Sequence, residues 1–370
     1  MRLWVYAADE NAALGIIERY SFLRAVRMYD APGGIEFVTP LAVLDDMSRL
    51  SPGQFIWPQG YAEAYIIESV TMSQRLGGTE LTVRGRTLTC LLGRRCLPDV
   101  ARYTGAAGTI VRRLIEDVFA DQSRTFPGWS MTNADGLGET ASYITSGETL
   151  LEAVGSVCRG SGLGFRTVFD PAVCSMRFEL YEGEDRFDEN ALEPVALDPE
   201  FDSLVGLSAA ESVQGFANVL YVIGEVNSAT GITRKLVVDS GQEATGERVS
   251  GLDRYERAMR YSATSVTDGS GSVIGRPPSS AGSATQLSNA QYQDSLRAYA
   301  LNYLRTSARG VTVDGTIAHA ERTLGAALAL GDIVRVRARS WGVDTAARVR
   351  ALTEQYENGG LTSHAVVGYV

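Results

Sequence analysis

Histidine is almost missing from this chain of 370 residues and cysteine is scarce, with two of the first and four of the second. Cys90, Cys96, Cys158 and Cys174 form no C-x-x-C pair, and His319 and His364 lie far from all of them in sequence. The usual zinc spacings are therefore excluded, and a cysteine nucleophile would lack a base. The four thiols are expected to be buried and reduced, with Cys158 on the apolar face of a helix. Long apolar runs are missing as well. The best, residues 324–330, falls far short of the roughly 20 residues of a membrane-spanning helix, and Asp9 and Glu10 interrupt the N-terminus before a signal-peptide core can form. These absences lead to an expectation of folding in the cytosol of synthesis, with no membrane insertion by the chain itself.

Catalytic signatures are equally sparse. There is no Walker-A lysine motif, no H-E-x-x-H and no G-x-S-x-G. Gly160-x-Gly162-x-Gly164 follows a helix and precedes a strand, the reverse of the order that aims a helix N-terminus at phosphate, so it reads as turn-making glycine. Carboxylate pairs such as Asp45-Asp46 and Glu182-x-Glu184-Asp185 leave a two-carboxylate glycosidase open in principle, but acidic residues are too abundant here for any pair to be specific. No catalytic, cofactor-binding or metal-ligating set is assigned.

What the chain does have is the composition of a folded protein. A 45% hydrophobic and 21% charged content separates it from disordered chains, and its length calls for two or more domains. A formal charge of −10 argues against general duplex binding, which rests on lysine and arginine neutralising phosphates. The charge is also blocked. Arg84, Arg86, Arg94, Arg95, Arg102, Arg112 and Arg113 make a basic segment, and Glu182, Glu184, Asp185, Asp188, Glu189, Glu193, Asp198, Glu200 and Asp202 an acidic one. The two can meet within a protomer, meet across a subunit boundary, or be solvated separately.

Residues 1–88 read mainly as strands, including 35–39, 64–70 and 80–84, with a short helical turn at 41–47. Beyond residue 89, Ile110, Val111, Leu114, Ile115, Val118 and Phe119 recur at helical spacing, and a second helix carries Leu150, Leu151, Val154, Val157 and Cys158 behind a candidate cap at Ser146. Strands follow at 165–169 and 175–181. A second β-rich region starts near 216, with strands at 219–223 and 233–238. The Gly/Ser/Pro-rich stretch 267–285 predicts an exposed loop, and Ser288 caps a helix with Tyr292, Leu296, Tyr299, Tyr303 and Leu304 on one face. Strands at 311–318, 333–339, 346–356 and 364–369 complete the chain.

Several short segments, in order, resemble one family. They are Thr82-Val83-Arg84-Gly85-Arg86-Thr87-Leu88 leading through Leu91-Leu92 to Arg94-Arg95, with Tyr103-Thr104-Gly105 opening a helix; Asn218-Val219-Leu220-Tyr221-Val222-Ile223-Gly224; Gly251-Leu252-Asp253-Arg254-Tyr255-Glu256; and Leu330-Gly331-Asp332-Ile333-Val334 through Tyr356-Glu357-Asn358-Gly359-Gly360. Together they are similar to the tail-tip hub proteins of long-tailed phages, which also form the N-terminal part of tail-associated lysins. The resemblance implies an α+β, mainly β fold with two tail-tube-like β-barrels, each carrying a helix-containing insertion. The corresponding division is 1–88 with 200–215 as the first barrel, 89–199 as its α/β insertion, 216–283 with 309–370 as the second barrel, and 284–308 as a helical insertion.

The same resemblance implies a homotrimeric ring, without enzymatic activity or cofactor, that adapts a sixfold tail tube to a threefold tip. Its partners would be a distal tail protein or tube above, tip or fibre proteins below, tape-measure protein in the channel, and passing DNA without sequence recognition. The location implied is the virion tail tip. In related lysins the enzyme is a C-terminal extension, and this chain is expected to stop with the hub-like part. The alternatives are a tail-associated cell-wall hydrolase and a carbohydrate-binding receptor module using Trp4, Trp57, Trp129 or Trp341.

One pattern stands without any resemblance. Period-two alternation puts Arg335, Arg337 and Arg339 on one face of the strand at 333–339, and Arg348 and Arg350 on one face of the next, with 340–345 as the connection. If the strands pair, five arginines of an acidic protein share a face. Like charges on neighbouring strands repel, so carboxylates, phosphates or solvent must answer them. Guanidinium forks suit carboxylates, which makes these five the candidate subunit-interface residues.

Overall fold

The computed structural model describes residues 1–8, 12–43, 50–75, 78–99, 101–145, 147–187, 194–198, 200, 204–226, 233–260, 266–267, 273–275, 288–307, 310–317, 328–357 and 359–369. Seven strands come first: β1 (Leu3–Ala7), β2 (Ala12–Ile17), β3 (Phe22–Met28), β4 (Gly34–Pro40), β5 (Phe55–Pro58), β6 (Tyr65–Arg75) and β7 (Gly78–Thr87). Their inward positions alternate as a half-buried strand requires: Ile35, Phe37 and Thr39 on β4, and Leu81, Val83 and Gly85 on β7, are buried. Leu3, Val5, Ile17, Leu23, Phe37, Ile56, Tyr65 and Val83 belong to one core, so all seven strands close over the same apolar cluster. A bulge in β6 between Ile67 and Ser69 presses the chain onto β7, where a Cβ on Gly85 would lie 2.2 Å from the Ile66 carbonyl oxygen. Glycine is required there by space. Of the helical turn expected at 41–47, Leu41–Val43 forms a 3-10 turn and the rest lies outside the described residues.

The 3-10 helix Leu88–Arg94 leads into an α/β unit of β8 (Arg102–Ala106), α1 (Ala107–Phe119), β9 (Trp129–Met131), β10 (Thr140–Ile144), α2 (Leu150–Gly160), β11 (Gly164–Asp170) and β12 (Ser175–Tyr181). The helical periodicity was a faithful guide, since Ile110, Val111, Leu114, Ile115 and Val118 all lie in one buried cluster with Leu150, Val154, Val157 and Cys158. Each such side chain contributes about 1.5–3 kcal/mol. Two details differ from expectation. Tyr103-Thr104-Gly105 lies in β8, paired to β10, because the helix begins only at Ala107. The cap of α2 is Thr149: its hydroxyl accepts from the Glu152 amide at 3.3 Å while Glu152 accepts from the Thr149 amide at 2.8 Å. This reciprocal box, worth about 1 kcal/mol, fixes the first turn three residues later than Ser146 would; Ser146 itself lies outside the described residues.

Next come β13 (Ala196–Leu197), β14 (Leu204–Ser212), β15 (Val219–Val226), β16 (Thr233–Asp239), α3 (Ser240–Thr245), β17 (Glu256–Arg260), β18 (Val266–Thr267), β19 (Val273–Gly275) and α4 (Asn289–Thr306). Ser288 caps α4 through a box with Gln291. Tyr292, Leu296, Ala300 and Leu304 pack on Leu220, Val222 and Val238 of a three-stranded β16-β15-β17 sheet, so the tyrosine stripe is core. Apart from β18 and β19, the stretch 267–285 lies outside the described residues.

The chain closes with β20 (Gly310–Ile317), β21 (Ile333–Ala338), β22 (Val343–Glu357) and β23 (Gly360–Tyr369). β22 is long enough to serve two neighbours on one edge: its first half pairs with β21 and its second half with β3. The N- and C-terminal strands thereby join into one 13-stranded sheet in the order β14-β20-β23-β22-β3-β4-β7-β6-β5-β1-β2, with β21 on β22 and β13 on β21. Leu204–Ser212, grouped from the sequence with the first barrel, pairs with β20. A second core lies under the C-terminal strands and contains Tyr29, Leu330, Val334, Val336, Val349 and Val367. The fold is α+β and mainly β, with separate apolar cores under the N- and C-terminal strands of a continuous sheet.

Candidate functional site

The arginine hairpin forms, with Arg335 opposite Ala346, Arg337 opposite Asp344 and Ile333 opposite Arg348. Its five arginines do not form one patch. Arg335 grips Asp344 with two bonds, Nε to Oδ1 at 2.6 Å and Nη2 to Oδ2 at 2.8 Å, and lies 5.5 Å from the Phe187 ring centroid. Arg337 Nε stands 3.5 Å from the same carboxylate. Hydrogen bonding to Arg335, reinforced by both cations, holds Asp344 below the usual carboxylate range. Arg348 is buried: Nη1 donates to the Gly331 carbonyl at 2.9 Å and approaches the Tyr29 hydroxyl at 3.4 Å. Arg350 sits at a bulge in β22, 3.9 Å from Asp30. Arg339 leaves the strand for a 3-10 turn, exposed beside Trp341, itself 55% exposed. Asp344 escaped notice because β22 starts at Val343, inside the stretch expected to be loop.

Arg348 leads into a joint built around Leu330-Gly331-Asp332. Gly331 has φ +95°, and a Cβ there would fall 2.3 Å from Tyr29 Cε2. A Cβ on Gly164 would come within 2.1 Å of the same ring atom. Tyr29 is thus enclosed by bare backbone from β11 on one side and from the turn before β21 on the other. Its hydroxyl donates to the Gly162 carbonyl at 2.9 Å. Asp332 is buried and accepts from the Ala329 amide at 2.9 Å and the Glu184 amide at 3.1 Å, while Arg186 pairs with it at 2.9 Å. One carboxylate therefore shapes its own turn and fastens the segment after β12 alongside β21. In the sequence Asp332 stood out as part of a motif segment, and Tyr29, some 300 residues away, gave no local signal.

A second clamp joins two other motif segments. Asn218 donates to the Asp253 carbonyl at 2.6 Å and accepts from the Tyr255 amide at 2.8 Å. Arg254 then reaches Asp239 at 2.8 Å, the Val249 carbonyl at 2.9 Å and Glu256 at 2.6 Å. Burial opposes ionisation of Asp239, yet amide and guanidinium bonds keep its carboxyl below its ordinary value.

The basic and acidic blocks each find local answers. Arg84 pairs with Glu36 and Arg86 with Glu68 on the outer face of the large sheet, beside a shallow groove of about 390 Å³ floored by Gly34 and Gly85. Arg95 donates to the Arg124 carbonyl, Arg102 is buried on the Ser142 hydroxyl, and Arg112 pairs with Glu116 and Asp135. Within the acidic block, Glu184 pairs with Arg186 and Asp198 caps its own turn at the Glu200 amide. This block runs beside the arginine strand: Arg335 donates its amide to the Val195 carbonyl at 3.0 Å, and β13 pairs parallel to β21. Asp188, Glu189, Glu193 and Asp202 lie outside the described residues, as do Asp45, Asp46 and His319.

Three thiols are buried, and burial pushes Cys90 up to about 11; Cys96, expected to be buried, is exposed. Cys158 and Val157 share the packed face of α2, as the periodicity implied. His364 faces Thr353 across β22 and β23. Among the described residues no group of three or more histidine, cysteine or acidic side chains could hold a metal ion, and no helix is long and apolar enough to cross a membrane. Trp4 and Trp57 oppose one another across β1 and β5, and Trp129 packs on Phe119, which leaves Trp341 as the exposed indole. The arrangement positions backbone segments against one another.

Residues 2–369 match a protein family described as Siphovirus ReqiPepy6 Gp37-like protein. A search among curated sequences finds no significant match. Solved structures share the fold over nearly the whole chain. A tail protein from Neisseria meningitidis MC58 is 13% identical with a TM-score of 0.56, covering 99% of this chain and 96% of its own. The 43 kDa tail protein of prophage MuSo2 from Shewanella oneidensis is 12% identical with a TM-score of 0.56, covering 99% and 98%. Prophage tail protein gp18 from Listeria monocytogenes EGD-e is 12% identical with a TM-score of 0.51, covering 100% and 95%.

Proposed function

This chain belongs to the Siphovirus ReqiPepy6 Gp37-like protein family, and from that membership and its fold we propose that it is a structural protein of the phage tail or baseplate type and works as a homotrimeric tail-tip hub. Three copies would form a ring that adapts a sixfold tube to a threefold tip and surrounds the path of tape-measure protein and then DNA. The observation that carries this reading is the family match over residues 2–369, supported by whole-chain likeness to tail proteins at about 0.5–0.6 in TM-score. In this reading the two tail-tube-like halves are 1–88 with 200–215 and 216–283 with 309–370, and 89–199 and 284–308 are inserted. The protein works mechanically, without a catalytic step or cofactor, in the virion tail tip. Its neighbours are a distal tail protein or tube on one side and tip or fibre proteins on the other.

Subunit contact in this ring falls to the outer part of the arginine hairpin. Arg348 and Arg350 point to partners within their own chain and Arg335 is held by Asp344, so Arg337, Arg339 and the exposed Trp341 carry the contact to carboxylates of a neighbouring copy. Light scattering on the purified protein tests this. A mass near three times 39.8 kDa is expected, falling in R337Q/R339Q while circular dichroism is unchanged. A monomer at every concentration and salt, or release of soluble fragments from host peptidoglycan above a heat-treated control, overturns the reading.

A further inference from the structure

The seam between the large sheet and the α/β insertion buries a carboxyl, that of Glu63, which makes no ion pair among the described residues. Residues 62 and 63 run beside β11: the Phe169 amide donates to the Ala62 carbonyl at 2.8 Å, and Glu63 bridges Val168. The Glu63 side chain is 4% exposed. Charged groups approach it from both sides. From the sheet come Arg27 of β3 and Glu354 of β22, paired at 2.8 Å, with Tyr61 bonded to Glu354 and Tyr65 at the start of β6. From the insertion come Arg166 of β11 and Glu179 of β12, paired at 2.6 Å, with Arg177 3.7 Å from Glu179 at the rim and Tyr181 on the same strand. Each central arginine thus already has its carboxylate. Glu63 sits at the seam without an ion pair of its own, with Arg27 acting on it from the sheet and Arg166 and Glu179 from the insertion.

We propose that Glu63 is a proton-controlled latch: protonated, it lets the insertion close on the large sheet, and ionised, it places a buried negative charge with no ion pair of its own beside Glu179 that opens the seam. Two further observations fit. The Tyr181 hydroxyl and Arg27 Nε are buried there without hydrogen-bond partners among the described residues, so the cluster holds polar atoms that a repositioned carboxylate can engage. Burial pushes the Glu63 carboxyl up to about 7, even though Arg166 and Arg27 act in the opposite direction. A carboxyl that binds its proton more tightly closed than open stabilises the closed seam while protonated. That contribution is complete below the open-state value of about 4.3 and is lost as pH rises toward 7. The latch depends on the joint within one chain and holds whatever the assembly state.

Hydrogen exchange on the full chain tests it without any variant. Opening of the seam, read at the Phe165 and Phe169 amides and corrected for intrinsic exchange, should rise about tenfold between pH 6 and pH 8, the ratio given by values of about 4.3 and 7 for the open and closed carboxyl. Amides of α1 within the insertion and of β23 within the sheet should stay level. In E63Q, which keeps the shape and removes the titration, the seam should stay closed at both pH values. Equal behaviour of seam and reference amides in the parent, or a rise that persists in E63Q, overturns the latch. Carbon-13 detection of the Glu63 carboxyl gives the same answer independently, since titration near 4 rejects it.

Discussion

Arg84 and Arg86 on β7 and Arg335, Arg337 and Arg348 on the C-terminal hairpin show the same alternation, yet their fates differ. The β7 pair meets carboxylates on directly adjacent strands, Glu36 opposite Arg84 and Glu68 beside Arg86, at the solvent-facing side of the sheet. The hairpin lies where an inserted unit, the N-terminal sheet and the LGD turn converge, so one alternating row is divided among Asp344, a buried carbonyl and a tyrosine ring. Alternation determines which side of a strand a residue occupies. What covers that side is decided by chain hundreds of residues away.

The strongest way to break this comparison is to fill the space beside Tyr29. Gly331→Ala adds a Cβ 2.3 Å from a packed ring atom at a backbone φ of +95°, and a loss of about 3 kcal/mol or more is expected in urea unfolding. Gly342→Ala is the matched control: φ is +68°, nothing lies near the added Cβ, and the strain alone should cost about 1 kcal/mol. Equal losses at the two sites would show that Tyr29 is free to move aside. Arg348→Met comes next. It keeps much of the volume but strips the buried Gly331 carbonyl of a charged donor, for an expected loss of about 1.5–3 kcal/mol. Arg86→Met, with half of its side chain exposed, should change stability by less than 1 kcal/mol. The two ribbons become equivalent if these variants match.

Periodicity located both main helices of the insertion, the α4 stripe and the C-terminal strands, because burial on one face leaves a repeat in the chain. Ser288 was readable as a cap since its partner Gln291 is three residues away, whereas Ser146 was preferred over Thr149 although Glu152 completes the box only for the latter. The helix start at Ala107 was obscured by β8, whose Thr104 and Gly105 are not distinctive of either state. Gly331 and Asp332 belonged to a motif segment, but what that turn encloses is a ring contributed by the end of β3. Glu63 gave no sign at all: a lone acidic residue between Ala62 and Ala64 becomes unusual only when β11 and β12 cover it. Local signals encode local geometry, and the two joints are made by distant segments.

The hairpin's acid pair gives a smaller and pH-dependent effect. Hydrogen bonding to Arg335 holds the Asp344 carboxyl below its unfolded value, so its contribution is present above about pH 4 and is lost as pH falls through the folded value. Asp344 is 44% exposed, and solvent screening limits the pair to about 0.2–1 kcal/mol. D344N should therefore be slightly less stable than the parent at pH 7 and indistinguishable from it near pH 2. A gap of the same size at both pH values would assign the loss to hairpin shape.

The smallest effect belongs to Arg84 and Glu36, and it sharpens the contrast most directly. Both residues face water on the outer sheet, joined at 2.8 Å with the arginine side chain 61% exposed. A cross-strand pair in that setting trades a modest Coulomb attraction against the cost of ordering two long side chains, and salt screens what is left. A double-mutant cycle of R84Q and E36Q should give a coupling of about 0.2–0.5 kcal/mol at low salt that vanishes in molar salt. The cycle of R335Q and D344N should give a larger coupling that keeps part of its value in salt, since that pair is doubly bonded and its arginine side chain is only 23% exposed. If the β7 cycle is as large and as salt-resistant as the hairpin cycle, exposure is not what separates the two ribbons, and the outer face of the large sheet must itself be shielded from solvent.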